Sequence, residues 1–302
     1  MLRKIVIICG PTAVGKTGVG ITLAKEFNGE IISADSQQVW RGFDIGTAKV
    51  NLTERSAIKH HLVDICEPAE HFDAEHFVEL ADRAIDDIVG RGKIPFVVGG
   101  TGMYMRMLEK GLCDAPPQDE EFRAVFEDEV ANSSLLDQHE KLRAIDPESA
   151  AAIHPNDRTR IERALEIHYL TGVPASEFRE THGFAEKRYD ALKVGLNIGR
   201  ADLYQRINDR VDMMVEEGLL KEVRTLLAKY DFDCQPFKAV GYRELVAYIN
   251  GEMDYDEAIE LTKRNSRRYA KRQLTWFRGD PEIKWFEPHA LSEIAENIRN
   301  FL

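Results

Sequence analysis

A glycine-rich turn close to the N-terminus constrains the fold of this chain more than any other stretch. The apolar run Ile5–Ile8 leads directly into Gly10-Pro-Thr-Ala-Val-Gly-Lys-Thr17, and a helical pattern follows. A buried strand, a glycine loop and a helix, in that order, are what a phosphate-binding loop requires. In such a loop the backbone N–H groups turn toward the anion, a lysine supplies positive charge and a hydroxyl can ligate Mg²⁺. The motif leaves open which molecule carries the phosphate, and the residues predicted to hold it are Gly10, Thr12, Ala13, Val14, Gly15, Lys16 and Thr17.

The composition is that of a globular protein with room for one large or two medium domains. The chain has 302 residues, 43% of them hydrophobic, and no apolar run approaches the roughly 20 residues that a membrane span needs. The first strand begins within a few residues of the N-terminus, so we expect no signal or transit peptide. Cys9, Cys66, Cys113 and Cys234 are far apart and form no CxxC pair, which argues against zinc and against disulfides. We therefore expect a cytoplasmic protein that has no contact with a membrane.

Two further apolar runs end in polar turns, as the first one does. Ile31-Ile32 precedes Asp35-Ser-Gln-Gln38, and Ile94–Val98 precedes Gly99-Gly-Thr-Gly102. Because helical patterns separate these runs, they predict an α/β fold, a P-loop-like parallel sheet flanked by helices. The polar turns then lie at the carboxyl edge of the sheet, where open α/β sheets bind their ligands.

The pattern changes at Pro116-Pro117, because a proline pair cannot continue a helix. Beyond it we predict helices without a buried strand until residues 191–198, where an apolar run returns the chain to the sheet. Within the core we also expect a polar connection over residues 41–60 and a short strand at His61–Ile65. The predicted organisation is a phosphate-loop core at 1–114, an all-helical insertion at 115–190, and a return to the core with C-terminal helices at 191–302.

A basic segment near the C-terminus contrasts with the acidic chain as a whole. Thr262–Arg278 contains seven basic residues and no acid, whereas the net charge of the chain is −12. Most of the basic residues recur every four positions and so form one stripe on a helix. With no acid in the segment, we interpret these charges as uncompensated and as the sign of a polyanionic partner. Tyr269, Trp276 and Phe277 could stack on the bases of a nucleic acid.

The polar turns at the sheet edge together have the residue types of a group-transfer site. Asp35 could accept a proton or bind Mg²⁺ through water, although an Asp-Ser-Gln stretch also suits a turn or a helix cap. Thr101 likewise has either a functional role or a structural one in a turn or a helix cap. Arg206 and Arg210, on one face of a predicted helix, either clamp phosphate oxygens or lie at a solvated edge. We expect no metal other than Mg²⁺ carried by the phosphates.

Seven motifs, spread over almost the whole chain, resemble the tRNA dimethylallyltransferase (tRNA isopentenyltransferase) family. They are Gly10–Thr17, Asp35–Lys49, His60–Ile65, Val98–Tyr104, Asn156–Glu166, Val240–Arg243 and Ala270–Arg278. The chain resembles the bacterial members, since the C-terminal zinc finger of the eukaryotic relatives is absent. Trp40 and Phe43 depart from the tyrosine and methionine that are common in the family, and both keep an apolar contact.

The resemblance implies a reaction, partners and site residues. The family transfers the five-carbon group of dimethylallyl diphosphate to the exocyclic N6 amine of the adenosine 3′ of the anticodon in tRNA, and diphosphate leaves. The loop would then hold the diphosphate, with Mg²⁺ on Thr17 and with Arg206 and Arg210 as candidate clamps, in an enzyme that we expect to be a monomer. Asp35 would be the general base, Thr101 would contact the reacting centre near the bridging oxygen, and Lys16 would neutralise the charge that grows on the diphosphate. The implied contacts with the tRNA anticodon stem-loop are Asp35, Ser36, Gln37, Gln38, Thr101, Arg123, Thr159, Arg160, Ile161, Glu162, Arg163, Gly241, Tyr242, Arg243, Lys271 and Arg272.

Three other functions fit parts of the sequence. An adenylate isopentenyltransferase, which modifies AMP, ADP or ATP, has a similar core but lacks most of the helical insertion. A kinase of the nucleoside-monophosphate type would need an arginine-rich segment that closes over ATP, whereas the basic residues here lie far along the chain. A non-enzymatic RNA-binding protein would not need Asp35 and Thr101 beside an intact phosphate loop.

Overall fold

The computed structural model describes residues 2–183 and 187–302, and the Cα positions form two compact units. One unit combines the chain up to Glu109 with Arg188–Leu302, and the other is Lys110–Lys187. The first unit holds the β-sheet, and the second is built from helices. The division into residues 1–114, 115–190 and 191–302 stays a prediction about domain organisation.

A six-stranded sheet forms the centre of the first unit. Its strands are β1 (Lys4–Cys9), β2 (Gly29–Ala34), β3 (His60–His61), β4 (Ile94–Gly99), β5 (Asp190–Leu196) and β6 (Lys284–Phe286). They run in the order β3-β2-β4-β1-β5-β6, and each pair of neighbours is parallel, so the predicted parallel α/β fold is confirmed. Because β1 lies in the interior between β4 and β5, the loop after it opens near the middle of the carboxyl edge.

Helices account for most of the remaining chain. In chain order they are α1 (Lys16–Glu26), α2 (Leu52–Ala57), α3 (Ala74–Gly90), α4 (Gly102–Lys110), α5 (Glu120–Asn132), α6 (Leu135–Ile145), α7 (Pro147–Ala152), α8 (Arg158–Thr171), α9 (Ala175–His182), α10 (Arg200–Glu216), α11 (Leu219–Leu227), α12 (Tyr242–Ile249), α13 (Tyr255–Arg278) and α14 (Leu291–Phe301), with a 3-10 turn at Gln235–Lys238. Apolar residues of α1 and α14 pack together against the sheet, and α3 packs against β2 and β4. Among these described helices, none combines the length and the apolar character that crossing a membrane requires.

The segment after β2 differs from the prediction in two places. The expected strand at His61–Ile65 is wrong beyond its first residue, because β3 contains only His60 and His61. Leu62 and Asp64 have φ values of 61° and 56°, and this left-handed backbone cannot continue a strand. The expected polar connection over residues 41–60 also contains the short helix α2, which begins with a capping box.

The second unit is helical throughout the part of it that the structure describes. Its apolar core gathers Phe126 of α5, Leu142 of α6 and Ile161 of α8, each of which is almost completely buried. Glu166 is also buried there, and it accepts hydrogen bonds from Arg123 (3.0 Å) and Arg163. The prediction of an all-helical insertion in a P-loop-like α/β fold is confirmed.

The basic segment of the sequence lies within α13, which spans 24 residues. Its buried face carries Ala258, Thr262, Ala270, Gln273 and Phe277, and it packs against α10 and α12. Two of these five buried residues are polar, and one of them reaches the edge of the sheet, as described below.

Candidate active site

The glycine loop between β1 and α1 adopts a conformation that few residue types allow. Gly10 has φ 149°, and a Cβ atom there would lie 2.6 Å from the carbonyl oxygen of Leu196 at the end of β5. Gly15 has φ 105° and caps α1 without any side-chain hydrogen bond, so the first N–H groups of α1 have no side-chain cap. A helix N-terminus in this state attracts anions. The local backbone therefore agrees with the predicted phosphate-binding loop.

Lys16 begins α1 and lies inside the same loop. Its Nζ atom donates a hydrogen bond to the carbonyl oxygen of Pro11, 2.8 Å away. Burial lowers the pKa of Lys16 to about 8, an effect that the Asp35 carboxylate partly offsets and the Arg210 guanidinium reinforces. A bound anion would stabilise the protonated form of this lysine, so the environment of Lys16 favours the binding of an anion.

A cavity of about 520 Å³ opens at the carboxyl edge of the sheet, entirely within the first unit. The loop forms one wall of it, the turn after β2 forms another, and α10 and α13 close it from the side. Among the residues that line it are Thr12, Ala13, Gly15, Lys16, Thr17, Asp35, Ser36, Gln37, Gln38, Gly99, Arg210, Gly241, Arg243, Tyr269, Arg272 and Gln273. The structure thus brings the predicted anion site and the predicted base into one cavity.

Asp35 follows β2 directly and is partly exposed to this cavity. One of its carboxylate oxygens accepts a hydrogen bond from the backbone N–H of Gln37 at 2.9 Å, which makes an Asx turn. The carboxylate also acts electrostatically on Lys16, Arg210 and Tyr269. The two interpretations of Asp35 in the sequence are compatible, since the residue both shapes its turn and faces the cationic groups.

Thr101 joins the turn after β4 to the turn after β2. Its hydroxyl oxygen accepts a hydrogen bond from the backbone N–H of Ser36 at 3.0 Å, and its own N–H donates to the carbonyl of Ala34 at 3.1 Å. Gly99 permits this approach, because a Cβ atom there would lie 2.0 Å from the carbonyl oxygen of Ala34. Thr101 therefore fixes the position of the backbone that follows Asp35.

The two glutamines after Asp35 have different surroundings. The side chain of Gln38 is hydrogen-bonded within the protein. Its oxygen accepts from the Ser33 hydroxyl at 3.3 Å, and its nitrogen donates to the carbonyl of Ala48 at 3.2 Å. Among the described residues that line the cavity, Gln37 alone has a buried side-chain oxygen without a hydrogen-bond partner. An unsatisfied buried acceptor is unfavourable by about 1 to 3 kcal/mol, so a ligand that donates to it would be stabilised.

The structure distinguishes the two candidate arginine clamps. Arg210 lines the cavity and donates a hydrogen bond to the hydroxyl of Thr12 at 3.3 Å, and burial lowers its pKa. Arg206, one helical turn earlier on α10, is exposed and is not part of the cavity lining. Arg210 is the residue placed to contact an anion in the loop.

Sequence reasoning missed Gln273, which contacts the loop from α13. Its side-chain oxygen accepts a hydrogen bond from the backbone N–H of Thr12 at 2.8 Å, and its side-chain nitrogen donates to the carbonyl of Gly100 at 3.0 Å. A weak signal was present in the sequence, since Gln273 lies three residues after Ala270 and four before Phe277 on the buried face of the helix. A lone glutamine on an apolar helix face needs a buried partner.

Tyr269 lies one turn before Gln273 on the same helix and faces the same cavity. Burial raises the pKa of its hydroxyl to about 12, and the Asp35 carboxylate adds to the rise, while hydrogen bonds with Gln273 and Thr101 act in the opposite direction. The sequence suggested base stacking for this ring, and in the structure its hydroxyl interacts with Asp35 and Thr101.

The interpretation of the basic stripe as wholly uncompensated is wrong for part of it. Lys263 makes an ion pair of 2.7 Å with Asp212 on α10, and Arg267 donates a hydrogen bond to Asn208 on that helix. The partners lie on another element, which a count within the segment cannot detect. Arg272 lines the same cavity as Asp35, whereas Lys271 lines a separate cavity of about 570 Å³.

The remaining predicted RNA contacts differ in exposure. Tyr242 is completely buried, with its hydroxyl donating to Glu222 at 2.6 Å and its ring 4.7 Å from that of Phe43, so its side chain supports the cavity wall and does not face a ligand. Gly241 and Arg243 next to it do line the cavity.

In the helical unit the predicted RNA contacts divide in the same way. Ile161 is completely buried in the apolar core, so its side chain supports the fold of the unit, and its contact with RNA stays a prediction. Thr159 and Arg160 are exposed, and Glu162 is partly buried, which raises its pKa. Arg123 and Arg163 remain about one-third exposed while they bind Glu166.

The donor groups in the cavity suit Mg²⁺ that is carried by a diphosphate. Mg²⁺ is usually held by one or two carboxylates or hydroxyls together with substrate phosphates, and the cavity offers Thr17 and Asp35. Among the described residues, the one cluster of three acidic or histidine side chains with the spacing of a metal site is Glu30, His61 and Asp87. That cluster lies at the other end of β2 and its negative charge is already balanced, because Arg91 pairs with both carboxylates and Lys93 pairs with Glu30 as well.

The comparisons with known proteins agree with one another. The model of the IPP transferase family matches residues 38–280. The tRNA dimethylallyltransferase 2 of Geotalea uraniireducens is 49% identical over 303 residues, which cover 99% of this chain and 97% of that protein. The crystal structure of the full-length tRNA isopentenylpyrophosphate transferase from Bacillus halodurans is 44% identical, with a TM-score of 0.75 over 99% of this chain and 96% of that one. A eukaryotic dimethylallyltransferase, captured in crystallographic snapshots of its action on tRNA, is 31% identical, with a TM-score of 0.80 over 99% of this chain and 77% of that one.

Proposed function

This chain belongs to the IPP transferase family, and on that premise we propose that it is a tRNA dimethylallyltransferase. It transfers the dimethylallyl group from dimethylallyl diphosphate to the N6 amine of the adenosine 3′ of the anticodon. The C–O bond of the donor breaks, a C–N bond forms, the amine loses one proton, and diphosphate leaves. The observation that carries the proposal is the single cavity in which Asp35 faces Lys16 and Arg210.

The loop side of the cavity suits the leaving group. Negative charge grows on the diphosphate as the C–O bond breaks, and the loop N–H groups, Lys16 and Arg210 neutralise it. We assign diphosphate contacts to Gly10, Thr12, Ala13, Val14, Gly15, Lys16, Thr17 and Arg210. Mg²⁺ held between Thr17 and the phosphate oxygens would supply further Lewis-acid stabilisation.

The opposite side of the cavity suits the acceptor amine. The lone pair of an adenine amine is delocalised into the ring, so the amine needs a base to remove its proton as the new bond forms. Asp35 is the carboxylate that lines this cavity, and Thr101 holds the backbone next to it. The unpaired side-chain oxygen of Gln37 can accept a hydrogen bond from the second N6–H or from another donor on the edge of the base. An adenosine reaches this position only after leaving its stack in the anticodon loop.

The tRNA must also be held outside the reaction centre. We propose that Arg243 and Arg272 contact its phosphates at the cavity, and that Arg160, together with the exposed parts of Arg123 and Arg163, does so on the helical unit. The chain would act as a monomer in the cytoplasm. The chain as a whole carries a net charge of −12, which repels RNA. The attraction must therefore come from these local cations.

One assay separates this function from the alternatives. Purified protein is incubated with Mg²⁺, dimethylallyl diphosphate labelled in the allyl group, and either unmodified tRNA or AMP. We expect label in tRNA and none in AMP. Label in AMP alone would indicate an adenylate isopentenyltransferase, phosphotransfer from ATP would indicate a kinase, and tRNA binding without any turnover would indicate an RNA-binding protein.

A further inference from the structure

We propose that Gln273 is a positioning residue, which sets the distance between the diphosphate loop and the turn that carries Thr101. The inference rests on the proposed transfer reaction. It assigns to α13 a role inside the reaction site in addition to the basic residues on its outer face.

The contacts of Gln273 are specific for a glutamine. Its oxygen accepts from the Thr12 N–H at 2.8 Å, and its nitrogen donates to the Gly100 carbonyl at 3.0 Å, so both ends of one amide are used. The side chain is 7% exposed, and a buried amide holds its partners more firmly than one in water. A single planar group therefore links the backbone of the loop to the backbone of the β4 turn.

The surroundings leave little freedom for this link to shift. A Cβ atom on Gly100 would lie 2.3 Å from the Gln273 side-chain nitrogen, and one on Gly102 would lie 2.2 Å from the Trp276 ring. Two glycines of the turn thus lie directly against α13. The helix is fixed to the fold by Ala270 and Phe277, which are buried on either side of Gln273.

The link connects the two halves of the reaction. Thr12 belongs to the loop that would hold the leaving group, and Gly100 is adjacent to Thr101, which in turn positions the backbone beside Asp35. Without Gln273 the two turns remain in the fold through β1 and β4 but lose their shared partner. A misplacement of about 1 Å between reacting groups can lower a rate about 100-fold, even when each substrate still binds.

The test compares variants of the full-length protein in single-turnover transfer with saturating tRNA and donor, alongside separate affinity measurements. Gln273→Met keeps the volume of the side chain and removes the hydrogen bonds to Thr12 and Gly100, together with the one to the Tyr269 hydroxyl. We expect its transfer rate to fall 10- to 100-fold, while the affinities for tRNA and for inorganic diphosphate change less than threefold. Thr275→Val, an exposed position on the same helix, is the matched control and should keep the wild-type rate.

A second variant guards against a folding defect in the first. Gln273→Glu retains an acceptor for Thr12, and its protonated carboxyl can also donate to Gly100, so its rate relative to wild type should rise as the pH is lowered from 8 to 6. A rate of Gln273→Met equal to wild type, or a loss confined to diphosphate affinity, would overturn the proposal. If Gln273→Met does not fold, a pH-independent deficit in Gln273→Glu would overturn it equally. Absence of transfer by the wild-type protein would instead refute the proposed function on which the inference rests.

Discussion

The guanidinium of Arg210 donates a hydrogen bond to the hydroxyl of Thr12, 3.3 Å away, and so contacts the phosphate loop from α10. Arg206 lies one turn earlier on that helix and is exposed outside the cavity lining. The spacing in the sequence is the same for both residues with respect to the apolar stripe of α10. The structure therefore separates two arginines that the sequence leaves equivalent.

Replacing the two arginines in turn tests this separation. Arg210→Lys should lower kcat/KM for dimethylallyl diphosphate about 10- to 100-fold, because a hydrogen bond to a charged group contributes about 1.5 to 3 kcal/mol and a lysine cannot reproduce the guanidinium geometry. Arg206→Lys should change it less than threefold. Steady-state kinetics with varied donor at saturating tRNA measure both, and equal losses in the two variants would contradict the assignment.

The lowered pKa of Lys16 predicts a pH dependence of diphosphate binding. In the free protein its pKa is about 8, and a bound anion raises it, so binding above pH 8 requires uptake of a proton. Affinity should then fall as the pH rises from about 8 toward 10, by up to tenfold per unit. Calorimetric titration with inorganic diphosphate measures this in the wild type and in Lys16→Arg, whose side chain stays charged. The titration of diphosphate itself affects both proteins alike, so parallel pH profiles would remove Lys16 from this role.

Asp35→Asn tests the proposed base. The amide preserves the size of the side chain and an acceptor oxygen for the Gln37 N–H, but it cannot accept the proton of the amine. We expect transfer to fall by about 10²- to 10⁴-fold with tRNA affinity nearly unchanged, since general base catalysis contributes about that much. Asp209→Asn, on the exposed side of α10, serves as the control in the same single-turnover assay. Wild-type turnover by Asp35→Asn would leave the reaction without its base.

The parts of the site that could be predicted are those written in contiguous sequence. Strand β1, the glycine loop and Lys16 form one motif, and the apolar run before Asp35 places that residue at the carboxyl edge of the sheet by the geometry of parallel strands alone. The partners of Lys263 and the contacts of Gln273 could not be predicted in this way. Asp212 lies 51 positions before Lys263 and Thr12 lies 261 positions before Gln273, so only the packing of α13 determines that they meet.

Local backbone detail limited the prediction in a second way. The apolar residues of His61–Ile65 suit a strand, but tertiary contacts hold Asp64 in a left-handed conformation where it binds Lys49 at 2.6 Å. Tyr242 presents a related difficulty, because its motif suggests a binding residue and its ring fills the space next to Gly46. In the first case the backbone conformation, and in the second case the direction of the side chain, depends on contacts with residues that are distant in the sequence.

A buried ion cluster far from the reaction centre should govern stability at acid pH. Glu30 is 2% exposed at the start of β2, and hydrogen bonds from Arg91, Lys93 and His61 hold its pKa well below the usual range of a glutamate. The resulting stabilisation is complete above the unfolded-state pKa near 4.5 and is lost as the pH falls below it. Glu30→Gln should lower the free energy of unfolding by about 2 kcal/mol at pH 7, since a hydrogen bond to a charged group contributes about 1.5 to 3 kcal/mol. Urea titrations at pH 7 and pH 4 measure this, and a difference between variant and wild type that is the same at both pH values would contradict the linkage.

Three basic residues of α13 should contribute differently to tRNA binding. Arg272 lines the same cavity as Asp35, Lys271 lines a separate one, and Lys263 is already paired with Asp212. A free cation that meets a phosphate releases about one counterion, so Arg272→Ala and Lys271→Ala should each reduce the slope of log Kd against log salt by about one. Lys263→Ala should leave that slope unchanged, because Asp212 neutralises the charge in the free protein.

Only Arg272→Ala should also lower the transfer rate at saturating tRNA, since only this residue of the three faces Asp35 and the loop. Filter binding between 50 and 300 mM salt, with single-turnover rates alongside, distinguishes the three, and an unaltered slope in Arg272→Ala would mean that RNA does not reach this face of the helix.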